Sequence, residues 1–369
     1  MSVLSPTIRH GVVLVLSALI TAPGCGNDIY IPAGATGGGS GTDLVGGGMG
    51  TNDGCPPPAC SSPLDEGCGA EVLASFEDVL VGVAGPVATE HFVYWGYHDA
   101  SVTHWSLVRL PRCGGERGEP DEVADADGFL WHIGSIGSDV FMGLREADGT
   151  SAKPTIQRRS EDGSHISAAG EPANIDLSTT KAEVLWIGAD PFGSSGFGLH
   201  VMDPHTLKET AAVADPDAWS GATTVDGDVY WGGVGGVRRA SLESPTGYDD
   251  VLPLARTGDV VVTGEWLVAH DLGDQGMAAG IWVARLDGSQ AAKVAEGFIL
   301  AFLETDENGW VYFSQLVDEK VSIVRFRPPT GDLQSLVSGD LRGDFVVDRG
   351  WLYAYFADQG LVRLPIPKE

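Results

Sequence analysis

One short pattern recurs along this chain and constrains its fold more than any other feature: a Gly or acidic turn followed by an aromatic-rich apolar run. Its copies read HFVYWG at 91–96, SDVFMG at 138–143, AEVLWIG at 182–188, DGDVYWG at 226–232, GEWLVA at 264–269, NGWVYF at 308–313 and RGWLYAY at 349–355. The central residues are Tyr94, Phe141, Leu185, Tyr230, Leu267, Val311 and Leu352, and the steps between them are 47, 44, 45, 37, 44 and 41 residues. A period of this size is the signature of a repeat architecture.

Each run is apolar at consecutive positions, which indicates a strand buried on both faces. After most runs come a Gly-rich loop, another strand such as GIWVARLDGS at 280–289, a weaker strand and an apolar strand that leads into the next run. The runs are short, β-branched and aromatic, and they lie between Gly and Asp, which argues against buried helices. Four short strands per repeat form a propeller blade, so we predict an all-β chain in which residues 70–369 form a seven-bladed β-propeller.

The two ends of the repeat region predict how this ring closes. The last repeat reaches Glu369 after its third strand, so its outer strand is missing. The segment AEVLASFED at 70–78 resembles LQSLVSGDL at 333–341 and has the pattern of an outer strand. We expect residues 70–78 to complete the seventh blade, which leaves no unpaired inner edge. The alternative is an ordinary strand of the first blade.

The N-terminus predicts export. Residues 1–24 contain one Arg, a ten-residue apolar stretch from Gly11 to Ile20 and small residues before Cys25, which is the layout of a secretory signal peptide. Ten apolar residues are too few to span a bilayer. The small residues directly before Cys25 resemble the bacterial lipoprotein signal, and this resemblance implies that Cys25 is lipidated and anchors the protein in the cell envelope. The alternative is ordinary cleavage.

Residues 25–69 are predicted to connect this anchor to the propeller. The part before Gly54 is too rich in Gly to bury a core and is expected to be a flexible tether. Beyond Cys25, four cysteines remain: Cys55, Cys60, Cys68 and Cys113. An even number in an exported protein indicates two disulfides, with the connectivity open. Zinc is the alternative, although the spacing and the lack of a nearby His fit zinc patterns poorly.

A family resemblance rests on Tyr94-Trp95 and Tyr230-Trp231, together with the acidic or Gly turns before these pairs. They resemble the propellers whose blades carry a Tyr-Trp-Thr-Asp signature, over residues 70–369. Here Gly96-Tyr97 and Gly232-Gly233 stand in place of Thr-Asp. The resemblance implies the propeller fold, which is usually six-bladed in that family, and it implies no particular ligand.

Charge and motifs narrow the function classes. The net charge of −29 argues against nucleic acid or anionic lipid as a partner, so the membrane is expected to be contacted only through the lipid anchor. The sequence contains no G-x-S-x-G elbow, no H-E-x-x-H and no phosphate-binding G-x-x-x-x-G-K. Asp125–Gly128 is a fragment of a calcium loop, and Arg342–Asp344 spells an adhesion tripeptide; both are expected to lie in turns.

Two functions are consistent with these observations. The first is a binding or scaffold module at the cell envelope, which presents one face of the ring to a protein, a glycan or a small ligand. The alternative is a propeller hydrolase or lyase whose central channel holds a divalent cation, with Ca²⁺ as the candidate, through carboxylates of several blades. The candidate metal ligands are Asn174, Asp176, Asp226 and Asp348.

The loops between the second and third strands predict the working face. They are long at 96–104, 188–198 and 269–280, and they emerge on one face of a propeller, where loops carry function. Their titratable residues are His98, Asp99, Asp190, His270 and Asp271. We expect these side chains to line a ligand-binding face. The alternative is that they are solvated turn residues.

Overall fold

The computed structural model describes residues 71–75, 81–98, 103–113, 120–146, 154–169, 176–180, 182–189, 197–273, 279–297, 299, 302–317, 320–357 and 359–367. These residues form strands and turns without a helix, which confirms the all-β prediction. In this part of the chain, no helix is long and apolar enough to cross a membrane. The signal peptide (1–24) and the tether (25–69) lie outside it and stay predictions.

The described residues contain twenty-five strands. Those of the first half are β1 (Glu71–Ala74), β2 (Val81–Ala88), β3 (Phe92–His98), β4 (His104–Pro111), β5 (Asp121–Ile136), β6 (Asp139–Glu146), β7 (Pro154–Ser160), β8 (His165–Ala169), β9 (Asp176–Thr179), β10 (Val184–Ala189), β11 (Phe197–Met202) and β12 (Glu209–Ala214). Those of the second half are β13 (Ala218–Val225), β14 (Asp228–Ser241), β15 (Asp249–Thr263), β16 (Trp266–Asp271), β17 (Gly280–Arg285), β18 (Ala292–Glu296), β19 (Glu304–Thr305), β20 (Val311–Val317), β21 (Lys320–Phe326), β22 (Gln334–Gly339), β23 (Leu341–Asp348), β24 (Trp351–Phe356) and β25 (Gly360–Pro365).

Hydrogen bonds join the described strands into five sheets, whereas the repeats predict seven separate ones. Three sheets have four strands, in the orders β1-β25-β24-β23, β12-β11-β10-β9 and β19-β20-β21-β22; the other two run from β2 to β8 and from β13 to β18. The difference arises because β5 and β15 each change partner along their length. β5 pairs with β4 up to Asp127 and with β6 from Gly128, and β15 leaves β14 at Arg256 and pairs with β16 from Thr257. The outer strand of one repeat therefore runs straight into the inner strand of the next.

β1 pairs with β25, so the first described strand lies beside the last one. Glu71 is opposite Arg363, and Val72 is opposite Val362. Leu73 packs in a cluster that also holds residues of β3, β4, β24 and β25, which joins the first repeat to the last. Residues 71–74 thus occupy the outer position of the last sheet.

The first strand of each repeat is its inner strand, and the inner strands contact one another in series. β2 contacts β5, which is followed by β9, β13, β15, β19 and β23, and β23 contacts β2. These strands line a cavity of about 1580 Å³, which we call the channel. The second strands lie behind them and are buried on both faces, as the consecutive apolar runs predict; β16 and β24 are examples.

Two of the hairpins between a first and a second strand explain the Gly that precedes the apolar run. Asp226-Gly227 connects β13 to β14 with φ values of 51° and 82°, and Arg349-Gly350 connects β23 to β24 with φ values of 47° and 80°. Two-residue turns with positive φ at both positions match the right-handed twist of the strands that they join. Gly at the second position adopts this conformation without strain.

Candidate functional site

The strand pairings define one level of the channel, which is a set of equivalent positions with one residue from each inner strand. At this level the pairing with the second strand shifts in β2, β5, β13, β15 and β23, so each of these inner strands carries a bulge. Bulges change the direction of side chains and are common next to functional sites. Alignment of the repeats by their pairings places the following residues at this level: Gly85, His132, Asp176, Gly221, Asp259, Phe302 and Asp344.

The three aspartates of this level each accept a hydrogen bond from the backbone of the next repeat. Asp176 accepts from the N–H of Gly221, and Asp344 accepts from the N–H of Gly85. Asp259 Oδ2 accepts from the N–H of Phe302 at 2.8 Å. All three donors have positive φ, at 59°, 88° and 95°. The carboxylates therefore satisfy backbone groups that the bulges turn away from the strand pairing.

Burial and the charges of neighbouring carboxyl groups change the protonation of three side chains in this region. Burial, reinforced by the charge of Asp176, raises the pKa of Asp259 to about 6. Burial, together with the charges of Asp259 and Asp348, raises the pKa of Glu304 to about 8. Burial and the neighbouring carboxylates raise the pKa of Asp344 well above its ordinary value. At neutral pH Glu304 is therefore largely protonated, whereas Asp259 is largely ionised.

His270 lies next to this level. Its side chain lines the channel, only 1% of its surface is exposed, and both ring nitrogens lack a hydrogen-bond partner among the described residues. Burial lowers the pKa of His270 to about 4, so the imidazole is neutral at physiological pH. A Cβ on Gly258 would lie 3.1 Å from Nδ1, so this Gly lies directly against the ring. Buried polar atoms without partners are uncommon, and each requires an explanation.

Exposed apolar side chains concentrate at one edge of the channel, which we call the rim. It is the edge at which the first strands begin and the second strands end, and antiparallel pairing brings these ends together. Nine large apolar side chains are exposed in the described residues, and seven lie at the rim: Phe129, Trp131, Trp219, Val234, Leu272, Phe302 and Leu316. The other two, Tyr248 and Leu333, lie between third and fourth strands at the opposite edge.

The two edges also differ in charge. Ten carboxylates and three arginines line the channel in the described residues. The arginines are Arg112, Arg327 and Arg349, and all belong to the edge opposite the rim. Arg112 is almost fully buried there; it donates to the carbonyl of Thr89 at 2.7 Å and forms an ion pair with Asp348. The rim half of the channel has no lysine or arginine among its described lining residues.

The structure places the predicted metal ligands in two separate regions. Asp176 lies at the level of the bulges, where its Oδ1 is 3.5 Å from Nδ1 of His132. Asp226 and Asp348 lie at the opposite edge, in or next to hairpin turns. No group of three potential metal ligands forms among the described residues, and Asn174 lies outside them. The Ca²⁺ site stays a prediction.

The residues predicted to line a working face occupy strands rather than loops. His98 ends β3, is buried, and its Nε2 lies 3.2 Å from the carbonyl oxygen of Leu130. His270 and Asp271 belong to β16, and Asp271 is mostly buried. The loops were expected to begin earlier, but pairing with the third strands continues to His98 and Asp271. Asp99 and Asp190 lie outside the described residues.

Cys113 is the only cysteine among the described residues. It follows β4 and takes part in an interaction. The lipidation of Cys25 and the disulfides of Cys55, Cys60, Cys68 and Cys113 stay predictions.

Asp259, Glu304 and Asp344 were not among the predicted site residues. Residues 342–344 and 125–128 were expected to lie in turns, but they lie within β23 and β5. Both segments stay extended because each belongs to a strand that continues past the point where a turn was expected. A signal was present, since Asp176, Asp259 and Asp344 each precede an apolar residue and are separated by 83 and 85 residues, or two repeats.

Comparison with known proteins identifies the fold. No protein-family model and no curated protein matches the sequence. The β-propeller domain of the Trilobed protease from Pyrococcus furiosus aligns with a TM-score of 0.55 at 10% identity, over 78% of this chain and 96% of that one. The WD40 β-propeller domain of Doa1 aligns with a TM-score of 0.55 at 12% identity, over 82% and 98%. BamB from Moraxella catarrhalis has a TM-score of 0.47 at 16% identity, over 79% and 87%.

The first two likenesses confirm the propeller prediction and show the fold alone. The resemblance to the Tyr-Trp-Thr-Asp propellers stays a prediction.

Proposed function

We propose that this propeller is a binding or scaffold module of the bacterial cell envelope, tethered through a lipid on Cys25, and that the rim is its binding face. The observation that carries the proposal is the distribution of exposed apolar side chains, seven of which lie at the rim and two elsewhere in the described residues. Exposed apolar groups that gather on one side of a protein are typical of interaction sites. The alternative, a metal-dependent hydrolase or lyase, requires several metal ligands at one point, and no group of three forms among the described residues.

The proposal includes a ring of seven blades that β1 closes. Its support is the pairing of β1 with β25 and the series of contacts that returns from β23 to β2. Polar contacts support it as well, because Arg363 forms an ion pair with Glu71 and donates to the carbonyl of Arg112 at 2.9 Å. A closed ring fixes the rim residues of different repeats relative to one another, as a binding face requires.

The chemistry of the rim favours a macromolecular partner. Trp131 and Trp219 are 49% and 46% exposed, and aromatic anchors of this kind dominate the energy of protein interfaces. Phe129 packs on Trp131, with ring centroids 5.8 Å apart, and Arg256 stacks on Trp219 at 3.6 Å, so both aromatic side chains are held in place. Anchors that are already fixed lose little conformational entropy when a partner binds.

Site-specific photo-crosslinking tests the proposal. The photoreactive residue p-benzoylphenylalanine replaces Trp219 or Leu316 at the rim and, as matched controls, Tyr248 or Leu333 at the opposite edge. After irradiation of the producing cells, we expect crosslinked adducts from the two rim positions and far fewer from the controls. The absence of adducts at the rim, or equal yields at both edges, would contradict the proposal.

A further inference from the structure

We propose that the channel binds a flexible alkyl polyammonium cation, a linear polyamine, in contact with Asp259, Glu304 and His270. This site lies inside the channel and goes beyond the proposed function of the rim. Three independent features of the channel support this site: carboxyl groups without a balancing cation, an imidazole without a partner, and a geometry that does not suit a metal ion.

The first observation is the charge of this region. Glu304 lines the channel, and no hydrogen-bond or ion-pair partner for it exists among the described residues. The charged groups that face it are Asp259 on β15 and Asp344 and Asp348 on β23, all of them acidic. A cation at this point would relieve the repulsion and favour the ionised carboxylates.

The second observation is His270. It is the only residue of the described part with two buried side-chain nitrogens that both lack a partner, and Thr257 Oγ1, on the strand that pairs with β16, is also buried and unpaired. A neutral imidazole has one nitrogen that accepts a hydrogen bond. An ammonium group has three N–H donors, so one ammonium of the ligand can donate to this nitrogen while others meet the carboxyl groups. The ligand would thereby satisfy a polar atom that is costly to leave unpaired.

The third observation argues for an organic cation over a metal ion. Ca²⁺ requires roughly six to eight oxygen ligands within about 2.6 Å, and the described residues contain no group of three potential ligands. Asp176, Asp259 and Asp344 each already accept a backbone hydrogen bond. Their charges are spread around and along a wide channel, which suits a cation whose charges are separated along a chain. The methylene groups of such a chain would pack on the exposed side chains of Leu272 and Phe302.

Calorimetric titration of the purified full-length protein with spermidine tests the inference. We expect one spermidine per protein at pH 7.5 and constant ionic strength. Glu304→Gln should weaken binding by at least about tenfold, whereas Glu243→Gln, which removes the same charge from an exposed turn, should change it by less than about twofold. Asp259→Asn provides a second channel variant. No binding, or equal effects of the channel variants and the control, would overturn the inference.

Two further arms identify the ligand class. The monoamine n-butylammonium should bind at least about tenfold more weakly than spermidine, since it meets only one carboxylate; equal affinity would overturn the polyamine assignment. CaCl₂ should not displace spermidine, and displacement that depends on Glu304 would replace the polyamine by a metal. The crosslinking yields at Trp219 and Leu316 do not depend on whether spermidine binds. A failure of this inference can therefore be distinguished from a failure of the proposed function.

The titration also has a protonation signature. Because Glu304 holds its proton at pH 7 in the free protein, a bound ammonium group should drive ionisation and release a proton to the buffer. The measured heat should then differ between phosphate and Tris, whose ionisation enthalpies differ, and this difference should shrink in Glu304→Gln. Equal heats in both buffers for the unmodified protein would contradict the inference.

Discussion

Replacement of Glu304 by Gln should make the protein more stable at alkaline pH. The rise of the Glu304 pKa from 4.5 to about 8 means that the folded protein resists ionisation of this carboxyl. A rise of this size corresponds to roughly 5 kcal/mol of unfolding free energy, and solvent in the channel makes this an upper bound. Because the folded pKa is the higher one, Glu304 contributes fully to the unfolding free energy below pH 4.5. This contribution is lost as the pH rises from 4.5 through 8. Gln stays neutral and avoids the loss.

The assay is urea denaturation at pH values between 5 and 9. We expect the unfolding free energies of Glu304→Gln and the unmodified protein to be similar at pH 5 and to diverge by a few kcal/mol at pH 9, with the variant more stable. Glu307→Gln is the matched control, since Glu307 is an exposed carboxyl in the following turn. Parallel curves for Glu304→Gln and the unmodified protein would refute the reasoning. Asp259 and Asp344 have raised pKa values too, so the variant should keep part of the pH dependence.

Three other predictions concern the ring and its anchor. Arg112→Met should lower the unfolding free energy by about 3 kcal/mol, because it leaves a carboxylate and a carbonyl without their donor. Arg342→Met, at an exposed arginine, should lower it by under about 1 kcal/mol. Similar losses in the two variants would contradict the stabilising role of the Arg112 contacts. Deletion of residues 70–78 should lower the melting temperature far more than deletion of residues 26–54, because it exposes the edge of β25; equal melting temperatures would refute this. Cys25→Ser should move the protein from the membrane fraction to the soluble extract, and an unchanged distribution would exclude the lipid anchor.

The sequence predicts the fold of this chain well because the repeated feature is a packing feature. A strand that is buried on both faces must be apolar at consecutive positions, so runs such as Leu267–Ala269 are visible without the structure. The number of separate sheets could not be predicted. It depends on whether the chain turns between an outer and an inner strand, and β5 and β15 continue without a turn.

The candidate site is harder to predict because it depends on strand register. Asp259 and Asp344 reach the channel through bulges, and a bulge changes which side chains face inward without leaving an apolar pattern. The raised pKa of Glu304 follows from its burial and from nearby carboxyl groups of other repeats, and neither is visible in the sequence. His270 was found because it is a titratable residue beside a long loop, but its burial and its unpaired nitrogens follow only from packing.

The most direct test of the central claim, that one edge of the channel is the binding face, is the ratio of crosslinking yields between the two edges in the cells that produce the protein. We predict that p-benzoylphenylalanine at Trp131, which is 49% exposed at the rim, forms discrete adducts, and that the same residue at Leu333, which is 40% exposed at the opposite edge, does not. Adducts that form mainly from position 333 would contradict the account.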